Sequence, residues 1–218
     1  GDYTATVATA NDSASQSVTV FAPPTFAVDI TNTTDALVGQ PLTVTANVTN
    51  VGDVDRTLPV DMNVTGLGTD SADVPLSAGA STTTTFSVPT APGDAGSYTA
   101  AVSSPNATDT APVSVLAPAN LTVEITDTSE PVAGGTLSVT ATVTNVGDVT
   151  ATQTLSLSVP GLGTNTTAVT LAGSATTTAT LTLGTDRADA GNYTATVTTA
   201  NDTATTPILV PAPANLSV

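Results

Sequence analysis

Cysteine, histidine, lysine and tryptophan are all absent from this chain, and its only basic residues are Arg56 and Arg187. Without cysteine no disulfide can staple the fold, so any core must be held by packing and hydrogen bonding alone. Without histidine, cysteine or lysine, only carboxylates, tyrosines and hydroxyls remain for acid–base or nucleophilic work, and no enzyme is expected. Two arginines against 18 acidic residues leave a formal net charge of −16. That balance excludes nucleic acid, whose binding requires dense Lys and Arg to displace counterions. It also argues against anionic membrane surfaces. No apolar run reaches 18 residues, so no direct membrane contact is expected in this window. Secretion signals and anchors are expected outside it.

What the chain does contain is β composition. Thr and Ser make up about 30% of it, with abundant Val and Ala, and branched side chains suit a pleated, half-buried surface. The stretch Asp94-Ala95-Gly96-Ser97-Tyr98-Thr99-Ala100-Ala101-Val102 recurs 95 residues later as Asp189-Ala190-Gly191-Asn192-Tyr193-Thr194-Ala195-Thr196-Val197, and the chain opens inside a third copy, Gly1-Asp2-Tyr3-Thr4-Ala5-Thr6-Val7. Between 24–118 and 119–213, 43 of 95 aligned positions are identical. The sequence therefore reads as a tandem array: 1–22 as the last two strands of one unit, 23–117 and 118–212 as two complete units, and 213–218 as the first strand of another. It is expected to be a window on a longer repetitive polypeptide.

Within the second complete unit apolar residues alternate with Thr, Ser and Glu at Leu121, Val123 and Ile125, then at Leu137, Val139, Ala141 and Val143, then at Leu155, Leu157 and Val159. Val169 and Leu171, then Ala179, Leu181 and Leu183, then Tyr193, Ala195 and Val197 continue the pattern, and Ile208-Leu209-Val210 ends it. The first unit repeats this phase from Phe26 to Val115. Period-2 alternation in seven short segments separated by turns predicts an all-β fold of tandem seven-stranded antiparallel immunoglobulin-like sandwiches. In such sandwiches a Tyr near the start of the sixth strand returns its hydroxyl to the upstream loop, a tyrosine corner, here assigned to Asp94, Gly96 and Tyr98 and to Asp189, Gly191 and Tyr193. The joints Ala22-Pro23-Pro24, Leu116-Ala117-Pro118-Ala119 and Pro211-Ala212-Pro213-Ala214 are short and proline-stiffened, which predicts units stacked end to end at roughly 35–45 Å each.

Three motifs carry a family resemblance: Thr-Asn-Val-Gly-Asp-Val at 49–54 and 144–149, Leu-Ala-Gly-Ser at 171–174, and the Gly-x-Tyr-x-Ala strand. Together they resemble CARDB-type immunoglobulin-like domains, surface modules of bacteria and archaea associated with adhesion and cell envelopes. The resemblance implies a fold and an extracellular or cell-surface location, and it implies no catalytic residue.

Two kinds of candidate site stand out. Asn-x-Ser/Thr occurs at Asn11, Asn32, Asn47, Asn63, Asn106, Asn120, Asn165, Asn192, Asn201 and Asn215, ten of twelve asparagines, where a Ser/Thr content near 30% would give about four by chance. Every one falls at a turn or on the outward phase of its strand, as an N-linked glycan requires. Thr-rich strands also generate such triplets passively. Carboxylates at Asp35, Glu130, Asp94 and Asp189, facing Asp53 and Asp148 across a unit junction, form the calcium candidates; solvated acids are the plainer account, and no contiguous calcium-loop spacing is present. The expected role is structural: a repeat of an extracellular filament, fibre or surface layer whose partners are copies of itself, working in high salt where charge repulsion is screened, as in a halophilic archaeon. The alternative is a spacer or carbohydrate-binding stalk of an adhesin or secreted enzyme, which the scarcity of exposed aromatics disfavours.

Overall fold

Alternating aliphatic and hydroxylated residues build the strands of this computed structural model, which describes residues 1–214. Asn215 and most of the expected strand over 213–218 lie outside the described residues. Seventeen strands and no helix are found among them. β1 (Asp2–Ala8) and β2 (Ser13–Thr19) form a hairpin. The first complete unit contains β3 (Phe26–Thr34), β4 (Ala36–Leu37), β5 (Leu42–Asn50), β6 (Arg56–Val64), β7 (Gly68–Leu76), β8 (Ser81–Val88), β9 (Gly96–Ser103) and β10 (Thr108–Leu116). The second contains β11 (Leu121–Thr128), β12 (Thr136–Asn145), β13 (Ala151–Val159), β14 (Gly163–Leu171), β15 (Thr176–Gly184), β16 (Gly191–Thr198) and β17 (Thr203–Val210). The chain divides into two compact bodies, Gly1–Leu116 and Ala117–Val218.

Each complete unit is a two-layer sandwich. In the first, a sheet ordered β3-β5-β8 faces one ordered β4-β10-β9-β6-β7; in the second, β11-β12-β15 faces β14-β13-β16-β17. The fold is all-β and immunoglobulin-like, a tandem of antiparallel sandwiches. The core of the second unit is almost purely aliphatic: Leu121, Leu137, Val139, Val143, Leu155, Leu157, Val159, Leu181 and Val197 are all buried. In the first, Phe26, Phe86 and Met62 take over the positions of Leu121, Leu181 and Leu157. Burying a side chain of this size contributes roughly 1.5–3 kcal/mol, so many small residues can replace a few aromatic anchors.

The alternation is interrupted at one place in each unit. Pairing of the first strand with the second shifts between Ile30 and Asn32, and again between Ile125 and Asp127, the same position of the repeat. A bulge there reverses which face the rest of the strand presents and twists an edge strand away from further pairing. The first unit also gains β4, whose two residues pair in parallel with Val115 and Leu116 of β10.

Facing sheets in a sandwich share no ladder, so their open sides must be closed by side chains. On one side Asp70 on β7 accepts a hydrogen bond from the Ser87 amide of β8 at 2.8 Å. The matching Asn165 of β14 donates through Nδ2 to the Thr182 carbonyl of β15 at 2.9 Å. On the other side Asp109 accepts from the Ile30 amide at 2.7 Å, and Asp202 from the Val123 amide at 2.9 Å. Outer faces carry cross-strand hydroxyl pairs, including Thr45 with Thr85, Thr140 with Thr180 and Thr144 with Thr176, each at 3.0 Å. Such pairs add modestly to sheet pairing.

The hairpin β1–β2 differs. Tyr3, Val7 and Val18 are 62%, 75% and 42% exposed, whereas Val102 and Val113 at the repeat positions of Val7 and Val18 are 0% and 2%. No second layer covers this hairpin among the described residues. Tyr3, on the inward phase of its strand, and Phe21, beside the linker, are both exposed here.

Truncating Leu157 to Ala leaves a cavity in a wholly aliphatic environment and should destabilise the second unit by about 2–5 kcal/mol. Urea unfolding of parent and variant checks this; a loss under about 1 kcal/mol would show a loosely packed interior.

Candidate functional site

The motif Thr-Asn-Val-Gly-Asp-Val lies where β5 and β12 end, and its asparagines are fully buried. Asn145 accepts through Oδ1 from the Gly147 and Asn120 amides, both at 3.1 Å. Its Nδ2 donates to the carbonyls of Val149 at 2.8 Å and Ala172 at 3.1 Å. Asn50 accepts from the Gly52 amide at 3.1 Å and donates to the carbonyls of Val54 at 2.9 Å and Leu76 at 3.2 Å. One side chain thereby ties its own turn to the loop that leaves β7 or β14. Every buried side-chain polar atom among the described residues has a partner, as burial in low dielectric demands.

The glycine and aspartate of the motif act on the preceding linker. A Cβ on Gly52 would overlap the Pro23 carbonyl, and one on Gly147 the Pro118 carbonyl, so only glycine lets the linker pass this close. Beside it Asp148 accepts from the Ala117 amide at 2.8 Å while its own amide donates to the Ala117 carbonyl at 3.0 Å. Asp53 does the same to Ala22, at 2.8 and 3.2 Å. The motif is a clamp that fixes the entering segment to the sandwich it leads into.

At the start of β9 and β16 the tyrosine hydroxyls return to the loop before them. Tyr98 donates to the Asp94 carbonyl and Tyr193 to the Asp189 carbonyl, both at 2.8 Å. The two aspartates in turn accept from the amides of Ala91 and Asp186, at 2.7 and 2.6 Å. Gly161, at φ +94°, brings its turn against the Tyr193 ring, a conformation that a side chain would strain.

The sequence-derived calcium candidates are dispersed into these tasks. Asp94, Asp148 and Asp189 each hold a backbone amide as above, and Asp35 accepts from the Ser114 amide at 3.1 Å. Glu130 is exposed. Among the described residues no three acidic side chains lie close enough together to hold a metal ion. The hydrogen bond from the Val123 amide, then that from the Thr203 amide, lowers the carboxyl of Asp202 below the usual carboxylate range, partly opposed by desolvation.

The asparagines fall into two sets. The two outside any Asn-x-Ser/Thr triplet are Asn50 and Asn145, the buried hubs. Of those in triplets, Asn11, Asn32, Asn63, Asn106, Asn120, Asn192 and Asn201 are exposed, and Asn47 and Asn165 are half-buried on outward strand faces. Asn165 spends its Nδ2 on the Thr182 carbonyl. Reading the motif only as a turn misses the hubs; their place outside the triplets, in a motif repeated without change, is the signal that marks them.

Asn145→Ala leaves several buried backbone groups unpaired and should cost about 3 kcal/mol, the upper range for such groups; thermal or urea denaturation measures it, and a near-neutral result would remove the hub role. For Asp202 the folded carboxyl titrates below its unfolded value near 3.8. Its contribution is therefore present above that value and lost as pH falls through the lower folded one. The stability gap between the parent and Asp202→Asn should be open at neutral pH and close as pH falls below the unfolded value and through the lower folded one; a gap independent of pH would contradict the assignment.

No curated protein sequence matches the chain. Among solved structures it resembles red sea bream transglutaminase (14% identity, TM-score 0.34, covering 85% of this chain and 31% of that one) and activated Escherichia coli alpha-2-macroglobulin (16%, 0.33, 97% and 24%). It also resembles a three-domain structure of titin I67–I69 (15%, 0.35, 98% and 75%). The chain spans about a third or less of the transglutaminase and macroglobulin it matches. No helix among the described residues is long and apolar enough to cross a membrane. Residues 23–110, within the first complete unit, match the family model of CARDB, an immunoglobulin-like domain family found in prokaryotic surface proteins.

Proposed function

We propose that this chain is a repeated structural module of a cell-surface filament, fibre or layer, non-catalytic, working outside the cell and decorated with N-linked glycans. The observation that carries the reading is what the two units keep in common. The buried asparagine, the linker-clamping glycine and aspartate, and the tyrosine with its loop aspartate are identical in both, at 50, 52, 53, 94 and 98 and at 145, 147, 148, 189 and 193. Each of these residues closes a sandwich or fixes its linker. Charged residues outside these roles vary instead: Asp55 and Arg56 become Thr150 and Ala151, and Arg187 replaces Pro92. A chain selected for a repeated mechanical unit preserves the first set and lets the second drift. Copies of itself are the partners this suits, and net charge −16 suits a saline medium in which repulsion between copies is screened within about 3 Å at 1 M salt.

The second reading is a spacer or carbohydrate-binding stalk of an adhesin or secreted enzyme; the aromatics of the two complete units, Phe26, Phe86, Tyr98 and Tyr193, are buried or half-buried, which disfavours a sugar-binding platform there. Electron microscopy of material taken from the cell surface in high salt separates the two. Regular filaments or sheets with a repeat of roughly 35–45 Å are expected for the first. Isolated, unassembled molecules would support the stalk and end the filament reading.

A further inference from the structure

Only two asparagine positions are shared by both complete units: Asn50 with Asn145, and Asn106 with Asn201. Burial and hydrogen bonding account for the first pair. The second lies in the turn between β9 and β10 and between β16 and β17, and the hairpin turn between β1 and β2 repeats it as Asn11. In all three copies the residue two places on is Ser or Thr: Ser13, Thr108 and Thr203.

The turn itself does not depend on the asparagine side chain. The turn is made by the hydroxyl two residues earlier, since the amides of Asp12, Ala107 and Asp202 donate to Thr9, Ser104 and Thr199 at 3.1, 3.1 and 3.0 Å. The same hydroxyls of Ser104 and Thr199 fasten the turn to the first strand, donating to the carbonyls of Phe26 and Leu121. Asparagine is often kept in turns because it tolerates the left-handed region, yet the one non-glycine residue with positive φ among the described residues is Ser174. The side chain of Asn106 makes no hydrogen bond among the described residues, and its only contact of that kind is through its backbone amide. Asn201 does bond, but through Oδ1, which accepts from the Leu121 amide at 3.2 Å and Gln153 Nε2 at 2.6 Å. Gln153 is Leu58 in the first unit. Its Nδ2, the atom that a glycan would occupy, donates to nothing among the described residues.

Asn165 presents the opposite arrangement. Its Nδ2 bridges the two sheets, and Asp70 does the equivalent work at the same position of the first unit. Its triplet is a by-product of a structural residue.

We infer that the turn joining the last two strands of each unit is the primary N-glycan attachment site, at Asn11, Asn106 and Asn201, whereas Asn165 stays unmodified. This rests on the glycosylation proposed above and adds its location. In the step, Asn Nδ2 attacks the anomeric carbon of an oligosaccharide carried on a polyisoprenyl phosphate. The N–C bond forms, the C–O bond to phosphate breaks, the lipid phosphate departs and Nδ2 gives one proton to the transferase base. A glycan at this position lies at one end of every sandwich and leaves the hydroxyl-rich sheet faces open for contact.

The test is glycopeptide mapping of the protein isolated from the cells that make it, cleaved before aspartate because lysine is absent. Residues 94–108 then contain Asn106 as their sole candidate, and 189–201 contain Asn192 and Asn201. The expected result is a glycan on 94–108 and on Asn201, at higher occupancy than on Asn47, with Asn165 bare. Asn106→Gln and Thr108→Ala should each remove the sugar from 94–108 while leaving the melting temperature unchanged. An unmodified 94–108 beside a glycosylated Asn47 or Asn165 overturns this inference alone. An intact mass equal to that of the polypeptide overturns glycosylation altogether.

Discussion

A side-chain amide sealed from water at the end of the second strand is the interaction on which each sandwich depends. The interiors are built mainly of Val, Leu and Ala, and no disulfide spans their sheets. Their ends and sides must be closed by groups that hold backbone. Asn50 and Asn145 do this at one end, binding the turn after the strand to the loop that comes back from the opposite sheet. Because each must keep its donors and acceptors satisfied in a dry site, the surrounding carbonyls are fixed to a single arrangement. Glycine and aspartate then extend that order to the linker.

The same economy explains the acids. Many of the carboxylates accept from backbone amides: at the linker (Asp53, Asp148), at the tyrosine loop (Asp94, Asp189) and along the open sides (Asp70, Asp109, Asp202). Ionised oxygens make stronger acceptors than neutral ones. A chain almost without cations can thus use its negative charge as internal fastening and still present an acidic, hydrated exterior.

Much of this was legible in the sequence, because period-2 alternation in two copies overdetermines the strands. Leu42, Val44, Ala46 and Val48 line one face for the same reason that Leu137, Val139, Ala141 and Val143 do. The bulge after Ile30 and Ile125 was not legible, since an extra residue in a Thr-rich strand changes which face is inward without changing composition. Nor was the burial of Asn50 and Asn145: Asn-Val-Gly-Asp reads as a turn, and only the loop that returns from β7 or β14 supplies the carbonyls that pull the asparagine inside. The backbone partners of the carboxylates were hidden for a related reason. Proximity of loops was readable, but the amides that capture each side chain singly belong to tertiary structure.

The most direct measurement is hydrogen exchange of the asparagine side-chain amides, followed by NMR on uniformly ¹⁵N-labelled, unglycosylated protein. Slow exchange is expected for the Nδ2 protons of Asn50 and Asn145 and solvent-like exchange for those of Asn106. Equal, rapid exchange at all three would contradict the buried hub and with it the account of how each sandwich is closed.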